Sequence, residues 1–315
     1  MNKIDIADLD CIFLSYDEPK KEEFWVKLSN MIPWARRVDG VKGSDAAHKA
    51  AAEASDTERF ILIDGDNIPK LDFFNLTLDF TDLDPSYHHA QFRWKAINSI
   101  NELRYGNGGI SSWTKTYVEN MRTHEASEGD TKTTVDFCLD SNDNLYWSMY
   151  DSYSTTYPNG SAFQAWRAGF REGVKMCLVG GEKPTVEEFR QNATTRNLNN
   201  LTIWHNVGID VEYGIWAIYG ARQGTYMTML TDWDHNQVQS FDYLAEMWDK
   251  NKHQDKYIDL EANILGDDLR IKLGLPTSIL SSEQSKFFKR HHNADKYNLG
   301  PLVREMDVIR KQEGW

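Results

Sequence analysis

The order of short apolar runs and helical segments in the first 67 residues constrains this chain more than any other feature. Cys11 to Tyr16, CIFLSY, is a continuous apolar run bounded by Asp10 and by Asp17-Glu18-Pro19, the pattern of a buried strand. Phe24, Trp25 and Leu28 then recur at helical spacing. A second extended piece, Arg36 to Val41, leads to Gly43, after which Ser44 or Asp45 can cap a helix. Its residues Ala46, Ala47, Ala50, Ala51, Ala52 and Ala54 permit close packing on a sheet. A third run, Phe60-Ile-Leu-Ile, ends on Asp64-Gly65-Asp66-Asn67. Strand, helix, strand, helix, strand is the order that builds a parallel sheet with right-handed crossovers.

Open sheets of this kind take ligands beyond the carboxyl ends of their strands, where Asp64 and Asp66 fall. Two carboxylates on a turn suit Mg2+ or Mn2+, and the glycine between them permits close approach of a ligand. An ion held there could bridge a pyrophosphate. An EF-hand loop is excluded, because Ile68 and Pro69 stand where a ligand and a required glycine belong. A solvated turn after a strand remains the plain alternative.

The chain has 315 residues, 40% of them hydrophobic, enough for one large domain or a domain with an appended subdomain. No apolar run is long enough to cross a bilayer, and Lys3, Asp5, Asp8 and Asp10 stand where a signal peptide would be apolar, so the expectation is a cytoplasmic protein with no membrane partner. Cys11, Cys138 and Cys177 have no paired spacing and read as reduced, buried thiols. A formal net charge of -13 opposes nonspecific affinity for polyanions, which a local basic patch can override.

FLSYDEP, GVKGSDAAHKAAAEAS and RFILIDGDN together resemble the nucleotide-sugar half of GT-A glycosyltransferases. The resemblance implies that Ser15, Tyr16 and Asp17 line the base and ribose pocket, and that His48 takes the place of the usual polar helix residue, often Asn. It implies further that Asp64 faces the ribose or a metal-bound water and that Asp66 binds the metal, with a nucleotide sugar, UDP-linked, as donor. YGNGGISSW, AFQAWRAGFREGVKM and WHNVGIDVEYGIWAIYGARQG are similar to segments of GT-A-like proteins of tailed phages. Some of these add sugars, arabinose among them, to hydroxymethylcytosine in phage DNA, which implies a DNA acceptor and a host-cytoplasmic location.

The middle segments also carry a reading of their own. Gly106, Gly108 and Gly109 permit backbone approach to a ligand and are taken as a sugar-side or acceptor-side loop. Trp166, Phe170 and Val174 share one helix face toward the core, with Arg167 and Arg171 on adjoining faces. His205, Asp210 and Glu212 lie between apolar, strand-like pieces. Asp210 or Glu212 could be the base of an inverting transfer, while His205 and His235 compete for a third metal-ligand position.

After residue 231 the pattern is helical, in FDYLAEMWDKNK, SSEQSKFFKRHHNADKY and LVREMDVIRKQ. Lys286, Lys289 and Arg290, interleaved with Phe287 and Phe288, could track a nucleic-acid backbone, or could be a solvated helix face. The expected fold is α/β, a GT-A-like, mostly parallel sheet flanked by helices over residues 1–230, with a nucleotide-sugar half at 1–115, an acceptor half at 116–230 and a helical region at 231–315. The expected activity is metal-dependent transfer from a UDP-sugar, such as UDP-arabinose or UDP-glucose, to a hydroxylated pyrimidine in DNA. A glycan, lipid or protein acceptor, or sugar binding without turnover, stands as the alternative, and the oligomeric state is left open.

Overall fold

A computed structural model describes residues 3–121, 146–251 and 256–294. The chain divides into two compact units, one of residues 1–99 and 104–161, the other of residues 100–103 and 162–315.

In the first unit the strands are β1 (Lys3–Asp5), β2 (Asp10–Ser15), β3 (Arg36–Asp39), β4 (Arg59–Asp64), β5 (Asn67–Pro69), β6 (Thr77–Asp79), β7 (Gln91–Asn98), β8 (Arg104–Thr114) and β9 (Tyr146–Thr156). Its helices are α1 (Lys21–Met31), α2 (Ser44–Ala54) and α3 (Lys115–Asn120). Seven strands form one sheet in the order β3-β2-β4-β8-β7-β9-β5, and β1 pairs with β6 apart from it. The expected parallel alternation holds for β2, β3 and β4, with α1 and α2 as crossovers.

The expectation of a mostly parallel sheet is corrected: β2–β3, β2–β4 and β7–β9 are parallel, but β4–β8, β7–β8 and β5–β9 are antiparallel. Only residues 99–103 separate β7 from β8, far too few for a crossover between parallel neighbours. Gly106, Gly108 and Gly109, read as part of a loop, lie within β8.

Both faces of this sheet are covered. On one, Phe13, Ile63, Ile110 and Trp94 pack with Phe24 and Leu28 of α1. On the other, Ile12, Phe60, Leu62 and Trp113 meet Ala51 and Ala52 of α2 and Tyr117 and Val118 of α3. The alanines let α2 lie close to the strands, as their spacing predicts. The residue before the helix is Gly43, at φ 93°, so glycine and not a capping side chain of Ser44 or Asp45 makes the entry.

The second unit is helical: α4 (Ala162–Lys175), α5 (Val186–Asn192), α6 (Thr195–Asn206), α7 (Gly214–Leu230), α8 (Phe241–Asn251), α9 (Ile258–Leu273) and α10 (Ser282–Ala294). Trp166, Phe170 and Val174 are buried as their spacing predicts. Facing glycines bring α4 and α7 into backbone contact. A Cβ at Gly169 would sit 2.0 Å from the Ala217 carbonyl oxygen, and one at Gly220 would sit 2.2 Å from that of Trp166. The strand-like pieces expected around WHNVGIDVEYG are instead the end of α6, a turn and the start of α7. Trp216 to Arg222 are all buried, and a helix apolar on every side has no stripe to reveal its period.

Compactness divides the chain at 161, whereas the sequence reading placed a division at 230. The Arg222 guanidinium of α7 shows why: it donates to the carbonyls of His205, Ala262 and Ser278, tying helices from both sides of residue 230 into one core. Helix is present at α8 and α10 as expected, whereas LVREMDVIRKQ lies outside the described residues. Cys11 and Cys177 are buried free thiols, and Cys138 lies outside the described residues.

Candidate functional site at the strand ends

The carboxyl ends of β2, β3 and β4 bring their final polar residues together. Ser15 ends β2 and pairs in register with Asp39 at the end of β3. The buried Ser15 hydroxyl donates to Asp39 Oδ1 at 2.6 Å, and the same carboxylate takes a 2.7 Å bond from Lys21 Nζ. These bonds, Lys21 first and Ser15 second, hold the Asp39 carboxyl below the ordinary carboxylate range. Lys21 also bonds the Tyr16 carbonyl at 2.6 Å, so the start of α1 fixes the chain as it leaves β2. The Tyr16 ring is 44% exposed, and Asp17 is exposed beside it.

Glu18 turns back toward this edge. One of its carboxylate oxygens accepts from the Tyr16 backbone N–H at 2.7 Å, and a Cβ at Gly65 would lie 2.6 Å from that oxygen and 2.9 Å from Ser15 Cβ. Glycine at 65 is therefore required by the close approach of Glu18 and Ser15. Glu18, Asp64 and Asp66 gather their carboxylates around it. Asp66 is tied to the end of β9, its backbone carbonyl accepting from Tyr157 N–H at 2.8 Å and its Oδ2 from the Thr156 hydroxyl at 3.2 Å.

Asp64 reaches solvent although protein crowds it on several sides. That crowding, then the charge of Asp66, pushes its carboxyl up to about 7; Arg93 pulls the other way and Glu18 adds a smaller push. Glu18 is raised as well, by crowding first and also by Asp66 and Asp17. Such mutual repulsion is what a hard divalent cation would relieve. Among the described residues no three His, Cys, Asp or Glu side chains are arranged to enclose a metal ion. Further ligands for an ion at Asp64 and Asp66 would therefore come from phosphate or water, as is usual for Mg2+.

Gly109 adjoins Asp64. Its φ is 76°, and a Cβ there would lie 2.3 Å from Asn67 Nδ2 and 3.2 Å from Asp64 Oδ2. His48 of α2, half-buried, has Nδ1 2.7 Å from the Ser44 carbonyl and its ring 4.9 Å from that of Trp113. The Arg93 guanidinium stands 5.3 Å from the Trp113 ring. His48, Trp113 and Arg93 are thus in successive ring contact, and the Arg93 charge acts on Asp64.

Several expected site residues are placed differently. His205 is fully buried in the second unit, with Nε2 3.0 Å from Thr225 Oγ1, and its own carbonyl accepts two bonds from Arg222. Burial, helped by the Arg222 charge, pushes its pKa down to about 3, so it is a neutral core histidine and not a solvent-facing ligand. His235 opens a short 3-10 helix at residues 235–239, half-buried.

Asp210 and Lys289, expected to serve as base and phosphate contact respectively, are buried against each other, with Nζ 2.8 Å from Oδ1. Burial acts to raise the Asp210 carboxyl, but bonds from Lys289 and Ser285 hold it below its ordinary range. A carboxylate so occupied is a poor proton acceptor, and an ammonium so buried cannot reach a phosphate. Glu212 remains exposed, as do Lys286, Arg290, Phe287 and Phe288 on the outer side of α10.

Sequence reasoning missed Glu18, Asp39 and Arg93. Asp39 had a legible signal as the last residue of an extended piece before a glycine, the position that Asp64 occupies one strand later. Glu18 and Arg93 had none, because their places depend on a chain reversal and on an antiparallel strand. No protein-family model matches this chain, and no curated protein matches it in sequence.

Proposed function

We propose that this protein is a metal-dependent glycosyltransferase that moves a sugar from a UDP-sugar, such as UDP-arabinose or UDP-glucose, to a hydroxylated pyrimidine such as 5-hydroxymethylcytosine in phage DNA. The finer reading of the fold, a GT-A-like nucleotide-sugar domain, belongs to the same proposal. The observation that carries it is the convergence of Ser15, Glu18, Asp39, Asp64 and Asp66 at the ends of three parallel strands, where open α/β sheets take their ligands.

The donor set is all oxygen, which fits Mn2+ or Mg2+. Asp66 and Asp64 would hold the ion, which when bound neutralises charge on the departing diphosphate. The chain's own side chains do the rest. The exposed Tyr16 ring offers a stacking face for uracil, and Asp39, fixed by Ser15 and Lys21, accepts hydrogen bonds from ribose hydroxyls. Lys286, Arg290, Phe287 and Phe288 support the DNA acceptor, since exposed cations beside exposed rings suit a phosphate backbone and its bases.

Incubation with a panel of UDP-sugars and hydroxymethylated DNA, followed by nucleoside mass spectrometry, tests the proposal. A nucleoside heavier by one sugar is the expected product. Hydrolysis of a sugar nucleotide without transfer to DNA would keep the donor and move the acceptor to a glycan, lipid or protein. No turnover of any donor would refute the enzymatic reading.

A further inference from the structure

The Glu18 carboxylate is seated between two parts of the strand-end site. Its Oε2 accepts the Tyr16 backbone N–H at 2.7 Å. The same oxygen stands where a side chain of residue 65 would begin: a Cβ on Gly65 would lie 2.6 Å from it, 2.8 Å from the Glu18 carboxyl carbon and 2.9 Å from Ser15 Cβ. Glu18 thus fills the volume that glycine leaves open between Asp64 and Asp66. The turn that presents it is itself closed. Lys21 N–H donates to the Glu18 carbonyl at 3.1 Å, and Lys21 Nζ donates to the Tyr16 carbonyl at 2.6 Å. Pro19 disfavours helical backbone at Glu18.

A hydrogen bond to an ionised oxygen is stronger than one between neutral groups, and atoms packed against bare backbone limit how far that backbone can shift. Tyr16 offers its exposed ring to a base, and residue 65 joins the two candidate ion ligands. A site that takes a base at one end and an ion at the other depends on the interval between those ends. Glu18 touches both sides of that interval without being either end.

We propose that Glu18 is a positioning residue that fixes the Asp64–Asp66 turn against the Tyr16 end of the site and so sets the span between the bound ion and the base. The inference rests on the nucleotide-sugar reading. Glu18 acts by its place and not by its charge. Glutamine has the same shape, and its amide oxygen can accept the Tyr16 N–H, whereas alanine loses both the acceptor and the filling. Gly65→Ala is the converse change. It keeps the charge but evicts the carboxylate from its seat, and the end of a flexible side chain can swing aside without unfolding the turn.

Calorimetry with UDP in Mn2+ tests the assignment on the wild type, Glu18→Ala, Glu18→Gln, Gly65→Ala and the double variant Glu18→Ala/Gly65→Ala, with circular dichroism as a check on folding. Glu18→Ala should weaken UDP binding about tenfold, and Glu18→Gln should stay within about threefold of the wild type. Gly65→Ala should lose at least as much as Glu18→Ala, and the double variant should bind no more weakly than Gly65→Ala alone, since both changes empty one seat. Unchanged affinity in folded Glu18→Ala, Glu18→Gln as weak as Glu18→Ala, or losses that multiply in the double variant would each overturn the role of Glu18 alone. A wild type that does not bind UDP would overturn the donor reading, and Glu18 with it.

Discussion

Lys289 Nζ lies 2.8 Å from Asp210 Oδ1 and 2.9 Å from Oδ2, with side chains only 5% and 6% exposed. Ser285 reinforces the pair, donating its hydroxyl to Asp210 and accepting from Gly208 N–H at 2.9 Å. Together they lock the turn before α7 to the inner face of α10. Lys289→Met would leave a buried carboxylate without its cation and should cost about 3–5 kcal/mol. Charge reversal at the exposed Lys286 and Arg290 should change stability by less than about 0.5 kcal/mol each. Urea unfolding of the variants checks the contrast, and equal effects at the three positions would show that the pair is not buried in solution.

Acid should weaken the second unit through His205. Its folded pKa, about 3, is below the ordinary 6.5, so between those values the unfolded chain binds a proton that the folded one refuses. Stability is therefore lost as pH falls through that window, by up to about 1.4 kcal/mol per pH unit. Asp210, whose folded pKa is depressed from 3.8, adds a loss of the same sign at still lower pH. His205→Gln should flatten the dependence of the urea midpoint between pH 6.5 and pH 4.5. An unchanged slope would mean that His205 accepts a proton in the folded state.

How far the sequence could be read depended on how locally each feature was determined. CIFLSY and FILIDGDN were legible because a buried strand flanked by polar turns writes its own pattern, and the alanines of α2 reported its packing partner. β7 and β8 were not, since antiparallel pairing around a bulge between Trp94 and Ala96 leaves no local period that a glycine-rich strand can display. Asp64 and Asp66 were legible by position. Glu18 reaches the same edge only through a chain reversal that brings it against Gly65, distant in sequence. KFFKRHH read as one basic cluster, but helix geometry divides it, turning Lys289 inward while Lys286 and Arg290 face out.

The glycines between α4 and α7 set opposing effects against each other. Alanine improves helix propensity by about 1 kcal/mol over glycine, but at Gly173 its Cβ would lie 2.2 Å from the Ala221 carbonyl oxygen. Backbone cannot swing aside as a side chain can, and overpacking costs about 1–3 kcal/mol or more. Gly173→Ala and Gly220→Ala should both lower the thermal midpoint. A raised midpoint in either would show that the two helices do not meet as closely as their backbones indicate.

The central claim is that Asp64 and Asp66 hold a divalent ion that carries a nucleoside diphosphate. Calorimetric titration of UDP with and without Mn2+, on the wild type and on Asp66→Ala, tests it most directly. The account predicts Mn2+-dependent binding to the wild type, abolished by chelator, and loss of that binding in an Asp66→Ala variant that retains its circular dichroism spectrum. UDP binding that is indifferent to Mn2+, or equal in the wild type and folded Asp66→Ala, would contradict it.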